Sequence, residues 1–269
     1  DENYVEGTKK IAELWGADAV RDCDGVKLPK NPRDIADKVY NVYFVDRGNH
    51  EWAKNNPDEW QHMFLMTPFV TATEKTVRVH LMDTFYDEQL KPDFSPAAVK
   101  HIEVIDRTTG QVHTDWVADE ANGDVVIQGA TPFHQYTVAF LGISLWHPVH
   151  KYNYITNDWD EPHHVMYDPY YPKTKKFIRE NLRRWCDENP ECNVVRFTTF
   201  LYMFSLVFNE KGKERNVDWF GYNMAVSPRM LDDFEKQYGY KMRAEYLVDQ
   251  GYYNQTHRLP TKQYKDWMA

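Results

Sequence analysis

Arg196 stands inside an otherwise apolar run, Val194-Val195-Arg196-Phe197. A guanidinium buried among apolar side chains needs a partner, because an isolated charge there is costly. A carboxylate on a neighbouring strand would make that partner structural; an anionic ligand would make it functional. The planar fork of arginine bonds two oxygens at once, so phosphate is the anion it suits. A second cluster, Arg21, Asp22 and Asp24, ends the short apolar segment 17–24. At the carboxyl end of a barrel strand such a cluster meets ligand; otherwise it is a salt-bridged turn. Asn153, near Trp146 and Tyr152, is a third candidate. Its amide can fix a sugar hydroxyl as donor and acceptor together, or simply hold a turn. His147 and His150 are three apart, with His163 and His164 downstream, but Pro148 removes the one-face geometry of a helical metal site. No metal centre is expected. Asp158, Asp160 and Glu161 could include a general acid, although acidic loop residues are usually just solvated. Walker, dinucleotide-binding and nucleophile-elbow motifs are absent from the sequence.

The elements that must carry these residues follow from periodicity. Residues 136–146 are almost continuously apolar and then break at Pro148 into a loop crowded with aromatic, His, Asn and Asp side chains. Strands covered on both faces read this way, and ligands of parallel α/β sheets gather beyond the carboxyl ends of such strands. Flat rings beside carboxylates and amides are what a sugar asks for. Residues 17–24, 62–73, 136–146 and 193–204 are therefore expected as four main strands. A helix from Asn31-Pro32 through Ala36, Val39, Tyr40 and Tyr43 is expected after the first of them. Further helices are expected over 8–15, 173–187 and 228–238, with another beginning at Pro260. Short runs over 77–82, 102–106, 112–117 and 125–127 alternate with turn signals at Thr109-Gly110 and Asn122-Gly123. They read as antiparallel hairpins, about residues 75–130, added to a larger fold. Strands alternating with helices point to α/β architecture, either the first half of a (β/α)8 barrel or an open sheet.

Bulk properties exclude some partners. A formal net charge of −9 argues against nucleic acid and anionic membrane surfaces. Apolar runs fall well short of the ~20 residues that span a bilayer. The polar, amphipathic start reads as no signal peptide. Three cysteines in no metal spacing suit free thiols in a reducing cytoplasm. An aromatic share of 15% favours a ring-binding surface and an aromatic-rich core about equally.

Five collinear segments carry a resemblance. They are WGADAVRDCDG at 15–25, DRTTGQV at 106–112, LWHPVHKYNYITNDW at 145–159, VVRFTTF at 194–200 and DWFGYNMAVSPRMLDDFEKQYGY at 218–240. Together they resemble the galacto-N-biose/lacto-N-biose I phosphorylases, or 1,3-β-galactosyl-N-acetylhexosamine phosphorylases, over essentially the whole chain. The resemblance implies an N-terminal (β/α)8 catalytic barrel followed by further domains. This sequence would be about its first four βα units, with the hairpin elaboration inserted. It implies inverting phosphorolysis of a β-galactoside, giving α-galactose 1-phosphate and a free N-acetylhexosamine. The co-substrate is inorganic phosphate, with no cofactor, and the ligands are small molecules. The parent protein would be cytoplasmic, and its later domains could pair it as a homodimer.

By position, the resemblance puts Arg21, Asn153 and Arg196 in the galactose and phosphate pocket and Val149 on its acceptor side. Asp24 and Tyr222 fall in matching motifs without a firm role; a relative has cysteine at the latter, which marks packing. The family's general acid lies in a Gly-Asp-x-Trp motif on the fifth strand, and this sequence has no such motif. The expectation is therefore a proton donor beyond Ala269 and a half-barrel, with unpaired edge strands, that is inactive by itself. Three other functions compete with this one. They are a β-galactosyl-rhamnose phosphorylase of the same family, an inverting glycoside hydrolase, and a non-catalytic carbohydrate-binding protein.

Overall fold

The computed structural model describes residues 4–21, 34–44, 50–85, 90–146, 164–198, 225–246, 248–249, 252–253 and 261–269. They divide into two compact units, one within residues 1–49 and 172–200, the other within 50–171 and 201–269. The first unit opens with helix α1 (Val5–Trp15), strand β1 (Ala19–Arg21) and strand β2 (Lys38–Phe44). The second begins with α2 (His50–Lys54), β3 (His62–Met66), β4 (Val70–Thr71), β5 (Val77–His80) and β6 (Leu90–Pro92). Next come α3 (Pro96–Val99), β7 (Glu103–Asp106), β8 (Gln111–His113), β9 (Trp116–Asp119) and β10 (Asp124–Ile127). The long strand β11 (Gln135–Trp146) and the short β12 (His164–Val165) complete this stretch. The chain then returns to the first unit with α4 (Pro172–Glu188) and β13 (Val194–Thr198). It finishes in the second with β14 (Ala225–Val226), α5 (Pro228–Tyr238), β15 (Val248–Asp249), β16 (Tyr252–Tyr253) and α6 (Lys262–Met268).

The first unit is built on a three-stranded parallel sheet in the order β1-β2-β13. Its middle strand corrects the sequence reading, which made residues 31–43 a helix. Val39, Tyr40, Val42 and Tyr43 are β-branched or aromatic, and their preference for a pleated surface outweighs the near-helical spacing of the apolar positions. Val39 is the buried centre of this sheet. Asn193 brackets it, accepting from its N–H through Oδ1 at 2.9 Å and donating its own N–H to the Val39 carbonyl at 2.9 Å. That double contact fixes where β13 begins against β2. Helix α1 ends at Gly16, whose φ of 62° lets its N–H turn back to the carbonyls of Ala12 and Glu13. Among the described residues the parallel strands form no closed barrel.

The second unit is antiparallel. Strand β11 is its spine, paired with β3, β4, β6, β7 and β12. The expected second and third barrel strands, 62–73 and 136–146, are thus partners in this antiparallel sheet. Continuous apolar runs do not reveal strand direction, because both arise wherever the two faces are covered. Leu65, Val104, Val138, Phe140 and Leu141 are sealed in the core. Gly142 is required where β11 passes between β3 and β6, since a Cβ there would come within 2.8 Å of Leu65 Cδ1. The turn signals at Gly110 and Gly123 hold residues with φ of 75° and 70°. The motif at 106–112 is structural: Asp106 Oδ1 accepts the Thr108 N–H at 2.9 Å, and Arg107 bonds Thr137 Oγ1 at 2.7 Å and pairs with Glu245. Ser227 caps α5, Pro228 starts it and Gly239 ends it at φ 74°. Phe234 then packs with Tyr238, Tyr240 and Trp267, which ties α6 to α5.

Candidate functional site

Parallel register places the two arginines. Arg21, the last residue of β1, lies opposite Tyr40 of β2, and Arg196 of β13 lies opposite Val42. Positions 40 and 42 share a face because strand side chains alternate with period two. Arg21 and Arg196 therefore flank β2 on one face, away from the face that buries Val39. Two strand spacings separate them, about 10 Å laterally. Both side chains are exposed. This corrects the expectation of a buried Arg196 guanidinium: Val194 is itself 38% exposed, so the run around Arg196 is not core. Apolar letters do not reveal that Val194 and Arg196, two apart on the strand, share an exposed face. Two guanidiniums spaced this way can converge on one multivalent anion, each offering a bidentate fork.

Asp24, Val149, Asn153 and Tyr222 lie outside the described residues, as do Asp158, Asp160 and Glu161. The base of the segment that holds Val149 and Asn153 is described. Strand β11 leads into it at Trp146, strand β12 leaves it at His164, and these two residues are antiparallel partners. Leu145 and Val165 pair just inside them. The two ends of the segment are thus clamped together.

Beneath this clamp is a polar cluster that sequence reading missed. The backbones of Gln61, Ser144 and Met166 are mutually hydrogen-bonded, at 2.8 to 3.1 Å. Gln61, His62, Ser144, Asp168 and Ser227 are buried around them. His62 Nε2 meets Asp93 Oδ2 at 2.8 Å. Burial alone would push the Asp93 carboxyl up, but His62 and the Ser95 N–H together hold it below its usual range. Burial wins at Asp168, whose carboxyl is pushed up despite bonds from the Tyr170 N–H and Ser227. Gln61 Oε1, Ser144 Oγ and Asp168 Oδ2 are buried with no hydrogen-bond partner among the described residues. Desolvation is the cause of the upward shift, because burial penalises the charged form of the carboxyl. Nothing in the sequence marks the cluster: His62 and Ser144 lie on β3 and β11, Gln61, Asp168 and Ser227 lie outside the strands, and no spacing links them.

Among the described residues no group of three or more His, Cys, Asp or Glu side chains could hold a metal ion. None of their helices is long and apolar enough to cross a membrane.

Residues 1–269 match the model of the lacto-N-biose phosphorylase N-terminal TIM barrel domain. A 1,3-beta-galactosyl-N-acetylhexosamine phosphorylase of Lachnoclostridium phytofermentans is 49% identical over 99% of this chain and 37% of its own length. The enzyme of that name from Bifidobacterium longum subsp. longum is 45% identical over 100% of this chain and 36% of its own length. A D-galactosyl-beta-1->4-L-rhamnose phosphorylase of Lachnoclostridium phytofermentans is 35% identical over 97% of this chain and 37% of its own length. The chain thus spans a little over a third of these relatives. It belongs to the lacto-N-biose phosphorylase family, and what it matches is that family's N-terminal TIM-barrel domain.

Proposed function

We propose that this chain supplies the phosphate- and galactose-binding side of an inverting phosphorylase acting on β-1,3-galactosyl-N-acetylhexosamine. The single observation that carries the reading is the pairing of Arg21 and Arg196 on one face of the parallel sheet. In this proposal they hold inorganic phosphate beside the anomeric carbon. A phosphate oxygen attacks that carbon as the glycosidic C–O bond breaks. The departing oxygen takes a proton from a carboxylic acid, and the products are α-galactose 1-phosphate and a free N-acetylhexosamine. Phosphate replaces the base-activated water of an inverting hydrolase, so one carboxylic acid suffices. The arginines offset the charge of the attacking anion. No cofactor takes part.

In the same proposal β1, β2 and β13 are three successive strands of the barrel, and residues 50–171 are an insertion between the second and third. Asn153 binds a galactose hydroxyl and Val149 lines the acceptor side, both on the segment clamped by Trp146 and His164. The general acid is assigned to a part of the relatives that this chain does not span, because the Gly-Asp-x-Trp motif is absent here. The whole protein is read as a cytoplasmic homodimer.

The test is made on the complete protein. Galactose 1-phosphate should appear from lacto-N-biose only when phosphate is present. Free galactose at the same rate without phosphate would instead identify a hydrolase, and sugar binding without turnover a lectin-like protein. Turnover of galactosyl-rhamnose in preference to lacto-N-biose would move the acceptor class to rhamnose, the substrate named for the 35% identical relative.

A further inference from the structure

The second unit contains a cavity of about 310 Å3 between β7, β8 and α5. Its volume is at the small end of ligand pockets, which run from about 300 to 1,000 Å3. None of the residues assigned above lines it. The floor is apolar and sealed, formed by Ile102, Val104 and Leu231. The indole of Trp116 stands in the wall, partly buried. Around the rim are charges of both signs, which nearly balance.

Two of these charges are already engaged. Lys100 Nζ is 2.6 Å from Asp232 Oδ2, and Glu103 Oε1 is 3.1 Å from Arg243 Nε. The other two, Glu235 and Lys241, form no ion pair among the described residues. His101 adds a neutral ring whose Nε2 has no hydrogen-bond partner among the described residues. Its side chain is only 11% exposed, and Nε2 sits 3.3 Å from Asp232 Oδ1, out of line for a hydrogen bond. Burial, helped by Lys100 and Lys241, pulls the imidazole down to about 4 against the pull of Asp232. At neutral pH it is therefore uncharged, and the contact with Asp232 is no ion pair.

A ligand for this cavity must offer donors to Glu235 and acceptors to Lys241, carry no net charge, and present an apolar face to Trp116 and the floor. Hydroxyls do the first, being donor and acceptor at once. A pyranose ring does the rest, with its C–H face against the indole. A simple anion is disfavoured by the two carboxylates, and a simple cation by the two ammonium groups. We propose that this cavity is a second sugar-binding site, holding one neutral pyranose unit, separate from the arginine face.

The test is an NMR titration of the full chain with galactose and with N-acetylglucosamine, following the Trp116 indole N–H resonance assigned from Trp116→Phe. A saturable shift is expected with at least one of the sugars. Lys241→Met and Glu235→Gln, both at exposed positions, should each weaken binding about tenfold. Arg196→Ala should leave it unchanged, which keeps this test apart from the phosphorylase reading. The proposal fails if neither sugar moves the resonance. It also fails if Arg196→Ala abolishes the shift while Lys241→Met does not, or if glycine saturates the cavity and the sugars do not.

Discussion

Arg21 and Arg196 stand on one face of the same parallel sheet, held there by register with Tyr40 and Val42, though most of the chain separates them in sequence. Because both side chains are exposed, neither contributes much to folding. Replacing Arg196 with alanine should change stability by less than about 0.5 kcal/mol. The same change in the complete protein should lower kcat/KM for phosphorolysis by roughly 10^2 to 10^3, the usual effect of removing a charge-stabilising donor. Arg196→Lys should recover only part of that loss, since lysine lacks the fork. Steady-state kinetics with phosphate varied would decide it; wild-type values for Arg196→Ala would remove the residue from the site.

Gly142→Ala tests the crossing of β11 between β3 and β6. The new methyl would meet Leu65, a side chain with no exposed surface and nowhere to move. A loss of about 1 to 3 kcal/mol is expected from such overpacking. Urea denaturation reads it directly, and an unchanged midpoint would mean the sheet gives more easily than its packing implies.

His101 should make the second unit acid-sensitive in a defined window. Its folded pKa is drawn from 6.5 to about 4, so the unfolded chain takes up the proton first as pH falls. Stability from this residue is whole above pH 6.5 and drains away down to about 4. Asp232, Lys100 and Lys241 face the same ring, but they are common to both proteins in a comparison with His101→Gln. Thermal midpoints measured from pH 7 to 4 should fall less steeply in the variant. Parallel curves would show that His101 titrates normally.

Two serines at helix starts offer an internal control. Ser227 Oγ accepts the Met230 N–H at 3.3 Å and is fully buried, whereas Ser95 makes no side-chain cap. Ser227→Ala should cost about 1 to 2 kcal/mol and Ser95→Ala only a few tenths. Equal effects would argue that the α5 cap is not what positions Leu231 and Phe234.

Local chemistry was the part of this fold most legible in sequence. The turn glycines Gly110 and Gly123 sit where left-handed backbone demands them, and the helices at 5–15, 172–188 and 228–238 fall close to their periodic patterns. Strand direction was not legible. An apolar run such as 136–146 records burial on two faces, and nothing in it distinguishes a parallel barrel strand from the spine of an antiparallel sheet. Residues 38–44 were read with the wrong period because Val39, Tyr40 and Tyr43 satisfy a helical spacing as well as an extended one. Arg21 and Arg196 were identified by residue type, yet their common face depends on pairing with β2, the strand misread as a helix. The Gln61–Ser144–Asp168 cluster left no trace, since its members meet only through long-range pairing.

The placement of β13 beyond residues 50–171 has a consequence for synthesis. Strands β1 and β2 leave the ribosome together, but the partner for the other edge of β2 follows only after that whole stretch has been made. With the helix before β13 also to be made, the delay at 5 to 20 residues per second is roughly 8 to 30 s. For that interval β2 offers an open row of peptide groups, with Asn193 not yet present to bracket Val39. A nascent chain caught in that window is the form most exposed to mispairing and to capture by chaperones.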